Sequence, residues 1–301
     1  MKVTKLMRKW RQTRLGILFV SPWIIGFCAF YLYPFAATFY YAFTRFTGIG
    51  NPTFTGLSNF STLATDHLFR TALFNTFYYT AIEVPLSTAA ALGLALLLNM
   101  NVRGQAFYRT LFYIPSIVPV IASSMIFVWL FQPSFGLVNS LLSDVGINGP
   151  EWFFSVGWSK PSFILLGLWG LGQPMVIYLA ALQGVPREMY EVADLEGANA
   201  WQRLRRVTIP MISPVILFNV ILSLVLSIQY FTQAQVIETP PGSPGTSTMF
   251  FVTYYYEQAF SFLHLGYASA MTFILFILVL LITVVLLRTS RHWVYYENEA
   301  R

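Results

Sequence analysis

Six long stretches almost free of charge limit what this chain can become. They run from Leu15 to Thr44, Thr71 to Val102, Thr110 to Ser143, Pro161 to Pro186, Val207 to Ile237 and Gln258 to Leu287. Each holds 26 to 34 residues, and Glu83 is the single charge inside any of them. About 20 helical residues cross the hydrocarbon core of a bilayer, so each stretch fits one tilted helix but not two crossings and a turn. The pattern predicts an all-α membrane protein of six transmembrane helices, with cores near 15–41, 72–99, 111–132, 162–183, 212–236 and 267–288. Composition agrees, since 10% of residues are charged and 56% are hydrophobic, against roughly 25% charged in soluble domains. So many apolar side chains exclude a disordered chain. One cysteine, Cys28, and three histidines exclude a disulfide framework and leave no Cys/His cluster for zinc, an iron–sulfur centre or haem; no cofactor is expected.

An even number of crossings puts both termini on one side, and the basic residues decide which. Lys2, Lys5, Arg8, Lys9, Arg11, Arg14, Arg103, Arg109, Arg187, Arg203, Arg205, Arg206, Arg288, Arg291 and Arg301 share the side of the termini. Arg45, Arg70 and Lys160 lie opposite, a split of 15 to 3 among the 18 Lys and Arg. Both termini are therefore expected in the cytoplasm, and topology accounts for the basic excess without nucleic acid. The basic start imitates a secretory signal, but the apolar run after it is about twice the length of a signal h-region and has no small-x-small cleavage site. The expected organisation is a basic cytoplasmic N-terminus over 1–14, a single six-helix domain over 15–288 and a cytoplasmic tail over 289–301.

The longest internal cytoplasmic segment, 184–210, reads GVPREMYEVADLEGANAWQRLRRVTIP. Connections above about 12 to 15 residues usually carry structure or a task. Pro186 suits a first helical turn, Glu188 and Glu191 favour its positive end, and Met189, Val192 and Ala193 share a face. Gly197 stops that helix. Asn199 with Gln202 three residues on has the form of a capping box opening a second short helix, with Trp201, Leu204 and Val207 on its apolar face. Composition alone leaves a compact knob and an interfacial hairpin equally open.

Polar groups within spans need protein or water around them. Helix five carries Ser223, Ser227 and Tyr230 at i, i+4 and i+7, with Gln229, Gln233 and Gln235 near; helix four carries Trp169, Gly170 and Gln173 beside Pro174. Such a surface suits an uncharged sugar, whose hydroxyls take hydrogen bonds and whose ring faces pack on aromatic rings. Small residues at plain helix contacts are the other reading. Glu83 precedes Pro85 and has no basic partner within the spans, which favours a hydrated cavity or a subunit contact over a proton relay. No GxSxG, HExxH, paired intramembrane Asp or Walker A lysine occurs, so neither a membrane hydrolase nor an ATPase is expected.

The residues of 184–210 carry a family resemblance. Glu191-Val192-Ala193, three residues, Gly197, nine residues and Val207-Thr208-Ile209-Pro210 resemble the EAA motif, E-A-A-x3-G-x9-I-x-L-P, of the membrane subunits of binding-protein-dependent ABC importers. Val192, Val207, Ile209 and Glu196 are conservative departures. Further segments resemble the maltose-type carbohydrate permeases: Gly56-Leu57-Ser58-Asn59-Phe60, Asn75-Thr76, Arg103 to Arg109, Ile114-Pro115 and Gly266-Tyr267-Ala268. Glu238 to Thr248 takes the place of the family's T-x-G-G-P loop, with Pro240 and Pro241 where two glycines stand.

The resemblance implies a type I importer permease in a bacterial or archaeal cytoplasmic membrane. Its implied partners are a second permease subunit, an ATP-binding cassette dimer on the cytoplasmic side and an extracytoplasmic sugar-binding protein. Glu191, Ala193, Asp194, Glu196, Gly197, Ala198 and Pro210 would couple to the ATPases. The family's sugar contacts map to Leu166, Trp169, Gly170, Gln173, Ser223, Leu226, Ser227 and Tyr230, and helix three adds Ser123. Exchange of Tyr230 for Ala is then expected to slow transport without harming assembly. Permeases for glycerol phosphate or a polyol are the nearest alternatives. A secondary transporter would show paired halves and several intramembrane ion ligands, and a lipid-acting transferase an acid, base or metal site near the interface.

Overall fold

The computed structural model describes residues 16–100, 103–238 and 240–295. The basic segment 1–14, the first residue of the first expected helix, Thr239 and Arg301 lie outside them. The chain divides into two units, one of residues 1–65 with 255–277, the other of 66–254 with 278–301.

In the first unit, α1 (Gly16–Tyr41) is one apolar helix with a π-helical turn at Cys28–Leu32. A two-stranded antiparallel ribbon follows, β1 (Thr44–Arg45) with β2 (Thr53–Phe54), then α2 (Ser58–Thr65). Asn59 explains the Gly56 to Phe60 motif: its Nδ2 donates to the carbonyls of Ala42 and Thr44, both at 2.9 Å. Phe39, Phe43 and Phe60 pack edge-on or tilted around Phe273 and one another. Gly266 donates its N–H to Phe46 O at 2.9 Å, and a Cβ there would collide with the Thr44 carbonyl, which is why glycine stands at this crossing.

In the second unit, α3 (His67–Asn99) starts where Asp66 accepts hydrogen bonds from the N–H groups of Leu68 and Phe69. It holds Pro85 within its length. The third and fourth spans are not straight. α4 (Gln105–Tyr113) passes through a 3-10 turn, Ile114–Ile117, into α5 (Val120–Leu130) with a bend of 98°. Pro119 forces Val118 out of the helical region, to φ −67° and ψ 129°. The third span therefore begins earlier than the expected 111–132 and turns sharply within it. After α6 (Leu137–Asp144), α7 (Ser159–Trp169) and α8 (Gly172–Gln183) make the fourth span with a bend of 50°. The two bends interlock. Ser116 Oγ donates to Gly170 O at 3.2 Å, and a Cβ on Gly172 would stand 2.7 Å from Phe112 O.

Next come α9 (Arg187–Leu195), α10 (Ala200–Arg203) and, through a π-helical turn at Leu204–Thr208, α11 (Ile209–Ile228). No separate second short helix forms in 184–210, since the capped turn at Asn199 runs straight into the fifth span. That span breaks at Gln229 to Phe231 before α12 (Thr232–Ile237). α13 (Phe251–Tyr256) and α14 (Leu265–Ser290) complete the chain. Among the described residues, four helices are long and apolar enough to cross a membrane, and the number reaches six if each bent pair is one span.

Candidate functional site

Two places carry the expected functional residues, a cavity within the second unit and the segment 184–210. The cavity, about 240 Å³, is lined by Tyr79, Glu83, Ser87, Gly167, Gly170, Leu171, Gln173, Pro174, Ser223, Leu226, Ser227, Tyr230 and Gln233. Helices α3, α7, α8 and α11 supply most of its wall, and the breaks at Gly170 and Tyr230 open the backbone beside it. Of the nine residues expected on the sugar path, eight mapped by the resemblance and Ser123 from helix three, Gly170, Gln173, Ser223, Leu226, Ser227 and Tyr230 line this space. Leu166 is buried in the apolar cluster with Phe163 and Tyr230. Trp169 stacks edge-on against Phe127, centroids 5.6 Å apart, outside the wall. Ser123 donates to Val120 O at 2.9 Å and is also outside it.

Tyr230 differs from the expected free stacking platform. It follows the end of α11, and its ring sits 4.5 Å from Tyr79, 5.4 Å from Phe250 and 5.7 Å from Phe163, leaving it 6% exposed. The hydroxyls of Tyr230 and Ser227 are buried without a hydrogen-bond partner of good geometry. Sequence reasoning missed Tyr79 and Ser87, although a signal existed: with Glu83 they recur every fourth residue, one face of α3.

The segment after the fifth span fixes one edge of the cavity. Asn75 Nδ2 donates to Thr246 O at 2.9 Å and to Met249 O at 3.1 Å, and Thr76 Oγ1 accepts from Phe251 N–H at 2.8 Å. Glu238 Oε2 accepts from Gly242 N–H at 2.7 Å. The Asn75-Thr76 pair thus ties the Pro-rich segment to α3 and sets Phe250 against Tyr79 and Tyr230.

In 184–210, α9 ends in a full Schellman motif. Ala198 N–H bonds to Ala193 O at 2.9 Å and Gly197 N–H to Asp194 O at 3.0 Å. Gly197 takes φ +75°, and a Cβ there would meet nothing, so the turn presents open backbone. The capping box is complete: Gln202 N–H bonds to Asn199 Oδ1 and Asn199 N–H to Gln202 Oε1, both at 2.9 Å. Asp194 pairs with Arg203 at 2.7 Å, and Tyr190 Oη bonds Thr208 Oγ1 at 3.0 Å. Ala193 is buried, while Glu191, Asp194, Glu196 and Gly197 are exposed and Ala198 is half-buried. Tyr190 and Val207 pack on the buried cluster of Ala91, Ala95, Tyr178, Leu182 and Ile212. Pro210 follows the π-helical turn at Leu204–Thr208. Met189, Val192, Leu195 and Trp201 are left exposed.

The second unit thus holds a cavity walled by hydroxyl, amide and aromatic groups at broken helices, and 184–210 holds a capped turn with exposed charges. The chain belongs to the binding-protein-dependent transport system inner membrane component family, whose model matches residues 55–292. It is 36% identical to the probable ABC transporter permease protein YesP of Bacillus subtilis (strain 168), over 99% of this chain and 97% of that one. It is 33% identical to the sulfoquinovosyl glycerol transport system permease protein SmoG of Agrobacterium fabrum (strain C58 / ATCC 33970), over 92% and 90%. Its fold is shared with a chain of a bacterial ABC transporter involved in the import of the acidic polysaccharide alginate, at a TM-score of 0.83, 23% identity and coverage of 96% and 99%. The fold is that of the type I ABC importer permeases, and the chain is a multi-pass transport subunit.

Proposed function

We propose that this chain forms half of the path for an uncharged sugar or oligosaccharide, works beside a second permease subunit, and is driven by separate ATPases that grip 184–210. One observation carries the reading most: a helical run from Ala200 to Ile228 begins at the capped turn of the knob and reaches the cavity wall at Ser223, Leu226 and Ser227. From Ala200 to Ser223 it covers roughly 35 Å at 1.5 Å per residue, so a push at one end moves the cavity wall at the other. SmoG's named cargo, sulfoquinovosyl glycerol, is a glycoside that bears a sulfonate, whereas the lactose named for LacF of Rhizobium radiobacter, 33% identical over 88% of this chain, is an uncharged one and supports that class. The hydroxyl, amide and aromatic groups of the wall support hydrogen bonding to an uncharged one. Both termini and the knob are assigned to the cytoplasm, and a receptor outside delivers the sugar.

The ATPase grip is tested at Gly197. Proline there has no N–H for the bond to Asp194 O and cannot adopt φ +75°. Gly197→Pro is expected to leave the protein inserted and to cut receptor-stimulated ATP hydrolysis and uptake in reconstituted vesicles at least tenfold. Normal values of both would refute the coupling role and return the segment to an interfacial hairpin.

A further inference from the structure

Glu83 is the acid that nothing so far employs. It stands one helical turn from Tyr79 and one from Ser87, and all three line the cavity. No other charged side chain lines that cavity among the described residues. Space for the carboxylate comes from the facing α7. A Cβ on Gly167 would stand 3.1 Å from Tyr79 Oη, a tight approach, and 3.5 Å from Glu83 Oε1, an ordinary contact. An acid at membrane depth is costly unless water or a ligand solvates it, and a wall of Ser87, Gln173, Ser223, Ser227 and Gln233 provides a polar setting.

We propose that Glu83 contacts the transported sugar, accepting paired hydrogen bonds from two adjacent hydroxyls, and that its charge turns anionic sugars away. This rests on the sugar-permease reading. A carboxylate has two oxygens and only accepts, which matches the two O–H donors of a vicinal diol. Serine hydroxyls and glutamine amides around it supply the donors that the sugar's remaining oxygens need. A uronate or other acidic sugar meets a like charge with no cation among the lining residues to offset it, and low-dielectric walls strengthen that repulsion.

The test uses the complete transporter in vesicles, with Cys28→Ser and a reporter cysteine at the cavity-lining Leu226. Its modification rates by a cationic and an anionic methanethiosulfonate of similar size are compared. Corrected for the ratio that the two reagents show with a free small thiol, the cation should react at least tenfold faster than the anion with Glu83 present, and E83Q, which keeps the shape, should shrink that corrected ratio at least fivefold. Gly167→Ala adds a methyl beside Tyr79 and Glu83 but keeps the charge, and should preserve most of the ratio. A mixture of lactose, maltose and cellobiose should slow the labelling, glucuronate should not, and E83Q should lose most of the protection. An unchanged ratio in E83Q, a reporter closed to both reagents, or protection by glucuronate equal to that of the neutral sugars would overturn the proposal. If the ratio falls but no sugar protects, the sugar reading fails and the diol contact fails with it.

Discussion

Tyr230 is expected on the sugar path, and its ring is also held in an aromatic cluster. Its spacing from Ser223 and Ser227 was legible, and it does share the cavity wall with them. Its covering by Tyr79, Phe163 and Phe250 was not, because those rings come from α3, α7 and the segment before α13, and no pattern within one helix reports a contact across 150 residues. The consequence is a different mutational outcome. Removing the ring opens a void in an aromatic cluster, which costs about 3 to 5 kcal/mol. Tyr230→Ala is expected to lower the melting temperature and yield of the purified complex, not only its rate. Tyr230→Phe keeps the ring and deletes a buried hydroxyl that has no partner of good geometry, so its stability should stay within about 1 kcal/mol of the parent. Thermal unfolding of both variants in detergent checks this, and an Ala variant as stable as the parent would mean that the ring is not packed as described.

At the scale of elements, charge-free length located the spans because every intramembrane charge is expensive, a rule that acts residue by residue. Bends obey no such local rule. Pro85 lies inside a helix that continues on both sides, whereas Pro119 sits at a 98° turn. What separates them is the surroundings: the turn before Pro119 is held by Ser116 on the Gly170 carbonyl and by the seat of Gly172 against Phe112 and Tyr113. Each bend fits the other, so neither was visible in its own stretch of sequence. The capped ends of 184–210 were legible, since glycine at a Schellman turn and an Asn-x-x-Gln box are short-range chemistry. The fusion of the second turn with α11 was not. Gly172→Val is therefore expected to disrupt folding, because its side chain must enter space held by main chain. Expression of full-length protein with loss of the monodisperse peak on size exclusion is the predicted readout, while Gly93→Val, at a position where a Cβ meets nothing, should leave the peak intact.

For the whole molecule, the basic asymmetry makes a claim that helix packing cannot make, namely which end of the bundle faces the cytoplasm. Fifteen of 18 basic residues fall on one side of the six-span reading, and retention of Lys and Arg on the cytoplasmic face during insertion is the physical basis for orienting it. The same orientation brings the exposed Met189, Val192, Leu195 and Trp201 to the side where an ATPase would meet them. Asn199 and Ser143 are both exposed, and the six-span reading, which counts α7 with α8 as a single span between them, puts them on opposite sides. In a Cys28→Ser background, a cysteine at Ser143 is expected to react with an impermeant maleimide added to intact cells, and a cysteine at Asn199 only after the membrane is opened. Cysteine at Ser143 replaces a hydroxyl on an exposed turn of α6, so labelling there reports the side and not a distortion. Strong labelling at Asn199 from outside would invert the molecule and detach the knob from any cytoplasmic motor, whereas labelling at both positions in intact cells would break the span count between them.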